Sequence, residues 1–144
     1  MSIKALYHTS ARATGGRDGR AAADDGRLAV NLSTPKELGG AGGEGTNPEQ
    51  LFAAGYAACF LNAMKYIAGQ QNSPFPSNAA VTATVAIGPR EAGEGFGLDV
   101  ALSVSLPGAE LAAAEKLTQT AHSVCPYSNA IHGNVSVAFT ISTD

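Results

Sequence analysis

The sequence predicts an α+β fold in which helices pack on antiparallel β-sheet. An apolar segment from residue 46 to 67 has helical periodicity, and a second amphipathic segment occurs near the end of the chain. Short segments of alternating apolar and polar residues lie before, between and after these two segments. Because the chain has 144 residues and no internal repeat, we expect a single domain, 1–144.

Three short strands are expected ahead of the first helix. Segments 3–10, 20–23 and 27–33 contain strand-like sequence, most clearly where Leu28, Val30 and Leu32 alternate with other residues. The turn signals at 15–19 and 24–26 separate the three segments. A three-stranded meander is the natural interpretation.

The first helix has a clear start signal. Asn47 is a good N-cap, Pro48 suits the first helical position, and Gln50 stands three residues after Asn47, as in a capping box. The helix that follows is apolar on nearly every side, and it carries Cys59 in its middle. We therefore expect it to be buried, with help from a partner subunit.

Two strands, a helix and a last strand are expected after it. Segments 80–87 and 96–106 alternate and form a long hairpin around the polar turn 88–95. The second helix is predicted to start at Pro107-Gly108 and to stop at Pro126. A strand from 135 to 141 closes the chain.

Composition argues against several classes of function. The net charge is −3 and the nine Lys and Arg are scattered, which leaves no basic surface for nucleic acid. We see no signal sequence, and Tyr56, Asn62 and Lys65 interrupt the apolar helix, so no membrane span is expected. A cytoplasmic location follows, in which the two cysteines are free thiols unless their chemistry is redox.

Cys59 is the candidate nucleophile. A thiol attacks as thiolate, which requires a nearby cation, and Arg17 in its glycine-rich turn is our candidate. Its guanidinium could hold the thiolate with one edge and the carboxylate of Glu49 with the other. On a continuous helix, Glu49 would stand about 15 Å from Cys59. Either Gly55 breaks the helix or Arg17 bridges the gap.

Simpler interpretations of the same residues are more common in proteins. A cysteine on an apolar helix usually serves packing, and Cys125 at the negative end of a helix is not favoured as thiolate. No metal is expected, because His8, His122 and His132 lack the spacing of a zinc site. From the residues alone, packing is favoured over redox catalysis.

Four longer motifs change this balance. They are GGRDG at 15–19, LSTPKELGG at 32–40, TNPEQLFAAGYAACF at 46–60 and VCPYSNAIHGN at 124–134. Their sequence and order resemble the organic hydroperoxide resistance proteins, a branch of the osmotically inducible protein C (OsmC) superfamily. The continuation Tyr-Ser-Asn-Ala after Cys125 favours this branch over the osmotic branch.

This resemblance implies a thiol peroxidase. The residue that matches the peroxidatic cysteine is Cys59, and Cys125 matches the resolving cysteine. Arg17 matches the arginine that activates the thiolate, and Glu49 matches the glutamate that orients this arginine. The family fold is an intertwined homodimer whose antiparallel sheets wrap around central helices, with active sites near the subunit interface.

The resemblance also implies the substrate and the reductant. Family members prefer organic and fatty-acid hydroperoxides and are re-reduced by dihydrolipoyl groups on lipoylated proteins, with no bound cofactor. A long alkyl chain gains from apolar walls, for which sequence position suggests Leu51, Phe52, Phe96, Tyr127 and Ile131.

Two alternatives stay open at this point. One is a broader-range peroxidase of the osmotic branch, and the other is a non-catalytic binder of apolar ligands with inert cysteines. Whether Arg17 acts in its own subunit or in the neighbouring one is also open.

Overall fold

The computed structural model describes all 144 residues, which form two compact units, Met1–Leu51 and Phe52–Asp144. Each unit contains one three-stranded sheet. The order of three strands, helix, two strands, helical segment and strand confirms the predicted α+β class. The single domain stays a prediction.

The sheet of the first unit is an antiparallel meander of β1 (Ala11–Thr14), β2 (Arg20–Ala23) and β3 (Ala29–Asn31). The prediction of a first strand at 3–10 is wrong, and the third strand is shorter than predicted. Thr14 pairs with Arg20 across the glycine-rich turn, so β1 ends directly at the turn that fixes its register, and β2 begins just after it. Residues 3–10 have no buried face in this chain, and alternation alone does not make them a strand.

The central helix α1 (Pro48–Gln70) begins as predicted. The Asn47 side chain accepts a hydrogen bond from the backbone N–H of Gln50 at 2.9 Å, which confirms the N-cap. The second half of the capping box is absent, because the Gln50 side chain accepts from the Thr46 hydroxyl at 2.6 Å instead. The helix is continuous through Gly55, so of the two alternatives left open, a break at Gly55 is wrong.

The sheet of the second unit is mixed. Strands β4 (Ala80–Pro89) and β5 (Phe96–Ser105) form the predicted antiparallel hairpin, with Pro89 opposite Phe96 at its tip. Strand β6 (Val137–Ser142) runs parallel to β5, so the expectation of an entirely antiparallel sheet is wrong. A parallel pair requires a crossover connection, and the helical segment between β5 and β6 provides it.

That segment contains two helices where one was predicted. Helix α2 (Leu111–Val124) starts later than expected, because Gly108 has a left-handed φ of 81° and the side chain of Glu110 caps the backbone N–H groups of Ala112 and Ala113. Pro126 ends α2 but also opens α3 (Pro126–Ile131), which the sequence analysis missed. A proline at the first helical position suits a new helix as well as it stops an old one.

The core of the second unit is formed by one side of α1 together with β5 and α2. Its buried aromatic and aliphatic side chains surround Cys125, which is fully buried. The largest of these side chains are Tyr56, Phe60, Met64, Val100, Leu102, Val104 and Leu106. The predicted burial of the apolar helix is therefore realised along one side of it.

Helix α1 is also the one helix long and apolar enough to cross a membrane by length and composition. Its most apolar window has a mean hydropathy of 1.2, and 28% of that window is buried. A core helix of a water-soluble protein meets the same criterion, so this is weak evidence. The absence of a membrane span stays a prediction.

Candidate active site

The two thiols lie next to each other in the second unit. Cys59 is in the middle of α1, and Cys125 is the residue between α2 and α3. Both are free, and their sulfur atoms are 3.6 Å apart although 66 residues separate them in sequence. A disulfide has a sulfur–sulfur bond of about 2.05 Å, so a small movement would join them.

The surroundings of Cys59 within its unit favour the neutral thiol. Burial has the largest influence and raises the pKa of Cys59 above its ordinary value, and the neighbouring Cys125 raises it further. The backbone N–H of Tyr127 lowers this pKa, but its influence is smaller than that of burial. A reactive thiolate therefore needs a cation in addition to these neighbours.

Gly55 allows α3 to approach α1 closely beside this thiol. A Cβ atom at Gly55 would lie 3.0 Å from the Tyr127 hydroxyl and 3.2 Å from its ring, which is tighter than ordinary packing. Glycine costs helix stability, so its place inside α1 is explained by this contact. The same residue, Tyr127, presents its N–H to Cys59.

The aromatic rings of Phe52, Tyr56 and Tyr127 pack together in the unit that contains the thiols. The ring of Phe52 lies 5.8 Å from that of Tyr56 and 6.1 Å from that of Tyr127, between ring centroids. Ile131 packs against the same core. Of the five predicted pocket walls, Phe52 therefore lies on α1, and Tyr127 and Ile131 lie on α3, which starts directly after Cys125.

The other two predicted walls are not part of this group. Phe96 lies at the tip of the β4–β5 hairpin, is 64% exposed and stands outside the core cluster. Leu51 belongs to the first unit and is partly buried there. The role of all five side chains as pocket walls stays a prediction.

A buried hydrogen-bond chain beside the thiols was missed by the sequence analysis. The hydroxyl of Tyr56 is 2.7 Å from the hydroxyl of Ser128, which is 2.8 Å from Nδ1 of His122. Burial lowers the pKa of His122, and the nearby His132 lowers it further. Tyr56 and Ser128 each stand three residues from a cysteine, and this matched spacing is the signal that would have indicated them.

The second predicted pair, Arg17 and Glu49, is found in the first unit. The guanidinium donates two hydrogen bonds to the carboxylate, at 2.8 and 2.7 Å, so the predicted contact is present. The hydrogen bond from Arg17 is the main reason that the pKa of Glu49 lies below its ordinary value. The side chain of Glu49 is 14% exposed, and the side chain of Arg17 is 34% exposed.

The turn 15–19 holds Arg17 in place through its glycines. Residues Gly16–Asp18 form a 3₁₀ turn, and Gly15 has a left-handed φ of 73°. A Cβ atom at Gly19 would collide with the carbonyl oxygen of Thr14, so only glycine fits there. The Asp18 carboxylate also stabilises the turn, because it accepts a hydrogen bond from the Thr34 backbone N–H at 3.0 Å.

The roles of these four residues are not tested by their positions alone. With a continuous α1, the alternative that Arg17 bridges Glu49 and Cys59 stays a prediction. No group of three or more His, Cys, Asp or Glu side chains is placed to hold a metal ion.

Comparison with known proteins identifies the family to which this chain belongs. Residues 40–140 match the family model described as OsmC-like protein. A protein of Xanthomonas axonopodis pv. citri (strain 306), named organic hydroperoxide resistance protein, is 52% identical over 139 residues, 96% of each chain. The chain therefore belongs to the OsmC family, and within it to the organic hydroperoxide resistance branch.

Solved structures agree with the predicted OsmC-like fold of the single chain, whereas the intertwined homodimer stays a prediction. The crystal structure of an organic hydroperoxide resistance protein from Legionella pneumophila superposes with a TM-score of 0.91 at 48% identity, covering 97% of this chain and 100% of that one. A protein of the same name from Elizabethkingia anophelis, with thiocyanate bound, gives a TM-score of 0.92 at 44% identity, covering 99% and 100%. The predicted resemblance and the OsmC-like fold are confirmed.

Proposed function

We propose that this protein is a thiol peroxidase that reduces organic and fatty-acid hydroperoxides to alcohols. The observation that carries the proposal is the pair of free thiols, Cys59 and Cys125, 3.6 Å apart in the protein interior. The names of the relatives support a role in resistance to organic hydroperoxides. Simple packing of two cysteines does not require their sulfur atoms to meet.

In the first step, the thiolate of Cys59 attacks the outer oxygen of the hydroperoxide. The O–O bond breaks, the alcohol leaves after taking up one proton, and Cys59 becomes a sulfenic acid. Cys59 suits this step better than Cys125, because it is partly exposed whereas Cys125 is fully buried.

In the second step, Cys125 attacks the sulfenic sulfur of Cys59. A disulfide forms and water leaves. The short distance between the sulfur atoms supports this assignment, since the fully buried Cys125 has its partner already in contact.

Arg17 is proposed to stabilise the thiolate and the developing charge on the leaving oxygen. Its ion pair with Glu49 supports this role, because a two-point contact orients the guanidinium while leaving its remaining N–H groups to donate elsewhere. The need is clear from Cys59 itself, whose burial raises the pKa of its thiol. The subunit in which Arg17 acts is left open.

Apolar side chains beside the thiols suit an alkyl hydroperoxide. Phe52 and Ile131 pack against the core that holds Cys125, and Tyr127 adds an aromatic ring. Each CH₂ group buried against such walls contributes about 0.8 kcal/mol to binding. We therefore propose a preference for alkyl over hydrogen peroxide.

The reductant, assembly and location complete the proposal. Dihydrolipoyl groups on lipoylated proteins are proposed to reduce the disulfide, as the resemblance implies, without a bound cofactor. The protein is proposed to act as a homodimer in the cytoplasm. Apolar side chains that are exposed in a single chain support the homodimer, among them Leu6 and Tyr66.

The first experiment measures consumption of a fatty-acid hydroperoxide by the wild type, Cys59→Ser and Cys125→Ser. Dihydrolipoamide serves as reductant, thioredoxin with its reductase is the comparison, and hydrogen peroxide is the second substrate. We expect turnover with dihydrolipoamide in the wild type only. Cys125→Ser should react once, because it forms the sulfenic acid but not the disulfide.

Mass spectrometry after one equivalent of hydroperoxide separates the alternatives. The proposed enzyme loses two hydrogens, whereas a non-catalytic binder of apolar ligands keeps its mass. Equal rates with hydrogen peroxide and the fatty-acid hydroperoxide would favour a broader-range peroxidase. Full activity of Cys59→Ser would refute the mechanism.

A further inference from the structure

The contact between α1 and the segment that begins at Cys125 includes two adjacent pairs of side chains that carry thiol or hydroxyl groups. Cys59 meets Cys125 at 3.6 Å, and Tyr56 meets Ser128 at 2.7 Å. Tyr56 and Cys59 are three residues apart on α1. Ser128 on α3 is likewise three residues from Cys125, the residue just before that helix, so the two pairs lie side by side. The hydroxyl pair is therefore the immediate neighbour of the thiol pair.

The hydroxyl pair leads out of the protein interior. Tyr56 and Ser128 are fully buried, but Ser128 also contacts Nδ1 of His122 at 2.8 Å. His122 is only partly buried and lines a depression of about 390 Å³ together with His132 and Asn134. The Tyr56–Ser128–His122 chain thus runs from beside the thiols toward the surface, and none of its buried side-chain oxygen or nitrogen atoms lacks a hydrogen-bond partner.

The proposed reaction needs such a route at its second step. Cys125 must give up its proton to attack the sulfenic acid, and it is fully buried. Its contact in the reduced protein is Cys59, which carries a hydroxyl group after reaction with the hydroperoxide and is no longer a thiolate. The Tyr56 hydroxyl lies in the same buried cluster, and Cys125 is close enough to Tyr56 to influence its pKa.

Building on the proposed peroxidase function, we propose that the Tyr56–Ser128–His122 chain carries the proton of Cys125 to the surface during disulfide formation. These three are positioning and proton-transfer residues, and none of them touches the hydroperoxide. Nothing in this role depends on the hydroperoxide that is reduced.

The proton balance is as follows. The Cys125 thiol gives its proton to the Tyr56 oxygen, Tyr56 passes its own to Ser128, and Ser128 passes its own to Nδ1 of His122, which releases one from Nε2 to solvent. The Cys125 thiolate forms the S–S bond with Cys59, and the S–O bond breaks. The hydroxide that leaves takes up one proton and departs as water, so the net products are the disulfide and water.

This chain works only while His122 is neutral, since protonated Nδ1 is a donor and accepts nothing. The titratable group that faces His122 is His132, just beyond α3, while Cys59 and Cys125 face Tyr56 from α1 and the α2–α3 junction. Burial, and then His132, keep the pKa of His122 below its ordinary value. Disulfide formation should therefore slow as the pH falls through the pKa of His122.

The test separates the two chemical steps by rapid mixing with a fatty-acid hydroperoxide. Sulfenic acid is trapped with dimedone, and disulfide is measured by mass spectrometry after acid quench, from about pH 5 to pH 8. The variants are Ser128→Ala, which cuts the chain, and His122→Asn, whose side-chain oxygen can accept from Ser128 but does not titrate. His132→Gln, on the rim of the depression, is the control.

We expect the ratio of the rate of disulfide formation to the rate of sulfenic acid formation to fall by about tenfold in Ser128→Ala and His122→Asn. In the wild type, the rate of disulfide formation plotted against pH should fall on the acid side. This fall should be absent in His122→Asn and present in His132→Gln. If Ser128→Ala does not fold, the double variant Tyr56→Phe/Ser128→Ala removes both hydroxyls without leaving one unpaired.

Three results would overturn the proposal. The variants could form the disulfide at the wild-type rate, both steps could slow equally, or the fall on the acid side could persist in His122→Asn. Failure of the peroxidase function itself is distinguishable, since the wild type would then form neither sulfenic acid nor disulfide, and the proton route would fall with it.

Discussion

At the scale of single residues, the site combines a thiol that is hard to ionise with a thiol that is hard to reach. Burial raises the pKa of Cys59, and Cys125 is fully enclosed by the core. The two sulfur atoms are 3.6 Å apart. In the proposed mechanism, the buried Cys125 can therefore react with oxidised Cys59 before another molecule does. For the proposed reaction, Cys59 needs a nearby cation to become a thiolate, and Cys125 needs a route by which its proton can leave.

The ion pair of Arg17 and Glu49 gives a pH-dependent stability. Glu49 has a lower pKa in the folded protein than in the unfolded chain, where it is about 4.3. Its contribution to stability is therefore fully present above that value and is lost as the pH falls through the folded pKa. We predict that Glu49→Gln lowers the urea midpoint at neutral pH and that the difference from the wild type shrinks as the pH falls below about 4.3.

The matched control for this prediction is Glu44→Gln. Glu44 lies in the loop just before α1, is exposed and forms no ion pair. The urea midpoint of Glu44→Gln should equal that of the wild type across the same pH range. A Glu49→Gln difference that stays constant with pH would contradict the assigned cause.

At the scale of elements, local signals were reliable where one residue caps or stops one helix. The start of α1 was predicted from Asn47 and Pro48, and the β4–β5 hairpin from alternation around a polar turn. The start of α2 and the whole of α3 were not, because Pro107-Gly108 and Pro126 each permit two outcomes. Packing decided between those outcomes.

The cap of α1 supports a prediction on the stability of this helix. Asn47→Ala removes the acceptor of the Gln50 N–H, so it should lower the free energy of unfolding by about 1 kcal/mol. Asn47→Asp keeps an acceptor at the same position and should retain most of the stability. Urea unfolding followed by circular dichroism measures both, and equal loss in the two variants would contradict the capping role.

At the scale of the whole molecule, exposed apolar side chains suggest that one chain is not the complete assembly. Leu6 is 95% exposed near the N-terminus, Phe96 is exposed at the hairpin tip, and Tyr66 is exposed on α1. Single exposed apolar residues are ordinary, but several large ones in a chain of 144 residues favour a partner. The homodimer is the proposal that covers them.

We therefore predict that light scattering gives twice the chain mass of 14.5 kDa. Leu6→Asp should weaken the dimer, because a charge would replace an apolar side chain that a partner is expected to cover. Ser2→Asp adds the same charge in the same exposed segment and should leave the mass unchanged. A monomeric wild type, or equal weakening by both variants, would contradict the prediction.

The sequence by itself determined the α+β class, the central helix with its cap, the long hairpin, the family and the two cysteines. These depend on periodicity, turn residues and motifs, which are local in the chain. The contact of Arg17 with Glu49 was also predicted, since a glycine turn and a helix start offered complementary charges.

The tertiary structure alone decided which side chains meet across long stretches of chain. It placed β6 parallel to β5, brought Cys59 within 3.6 Å of Cys125, and set Tyr56 against Ser128 and His122. A spacing of three residues indicates which side chains share a helix face, but not which turn of another helix that face contacts. That choice depends on how α1 and α3 pack, and here the close approach at Gly55 made it possible.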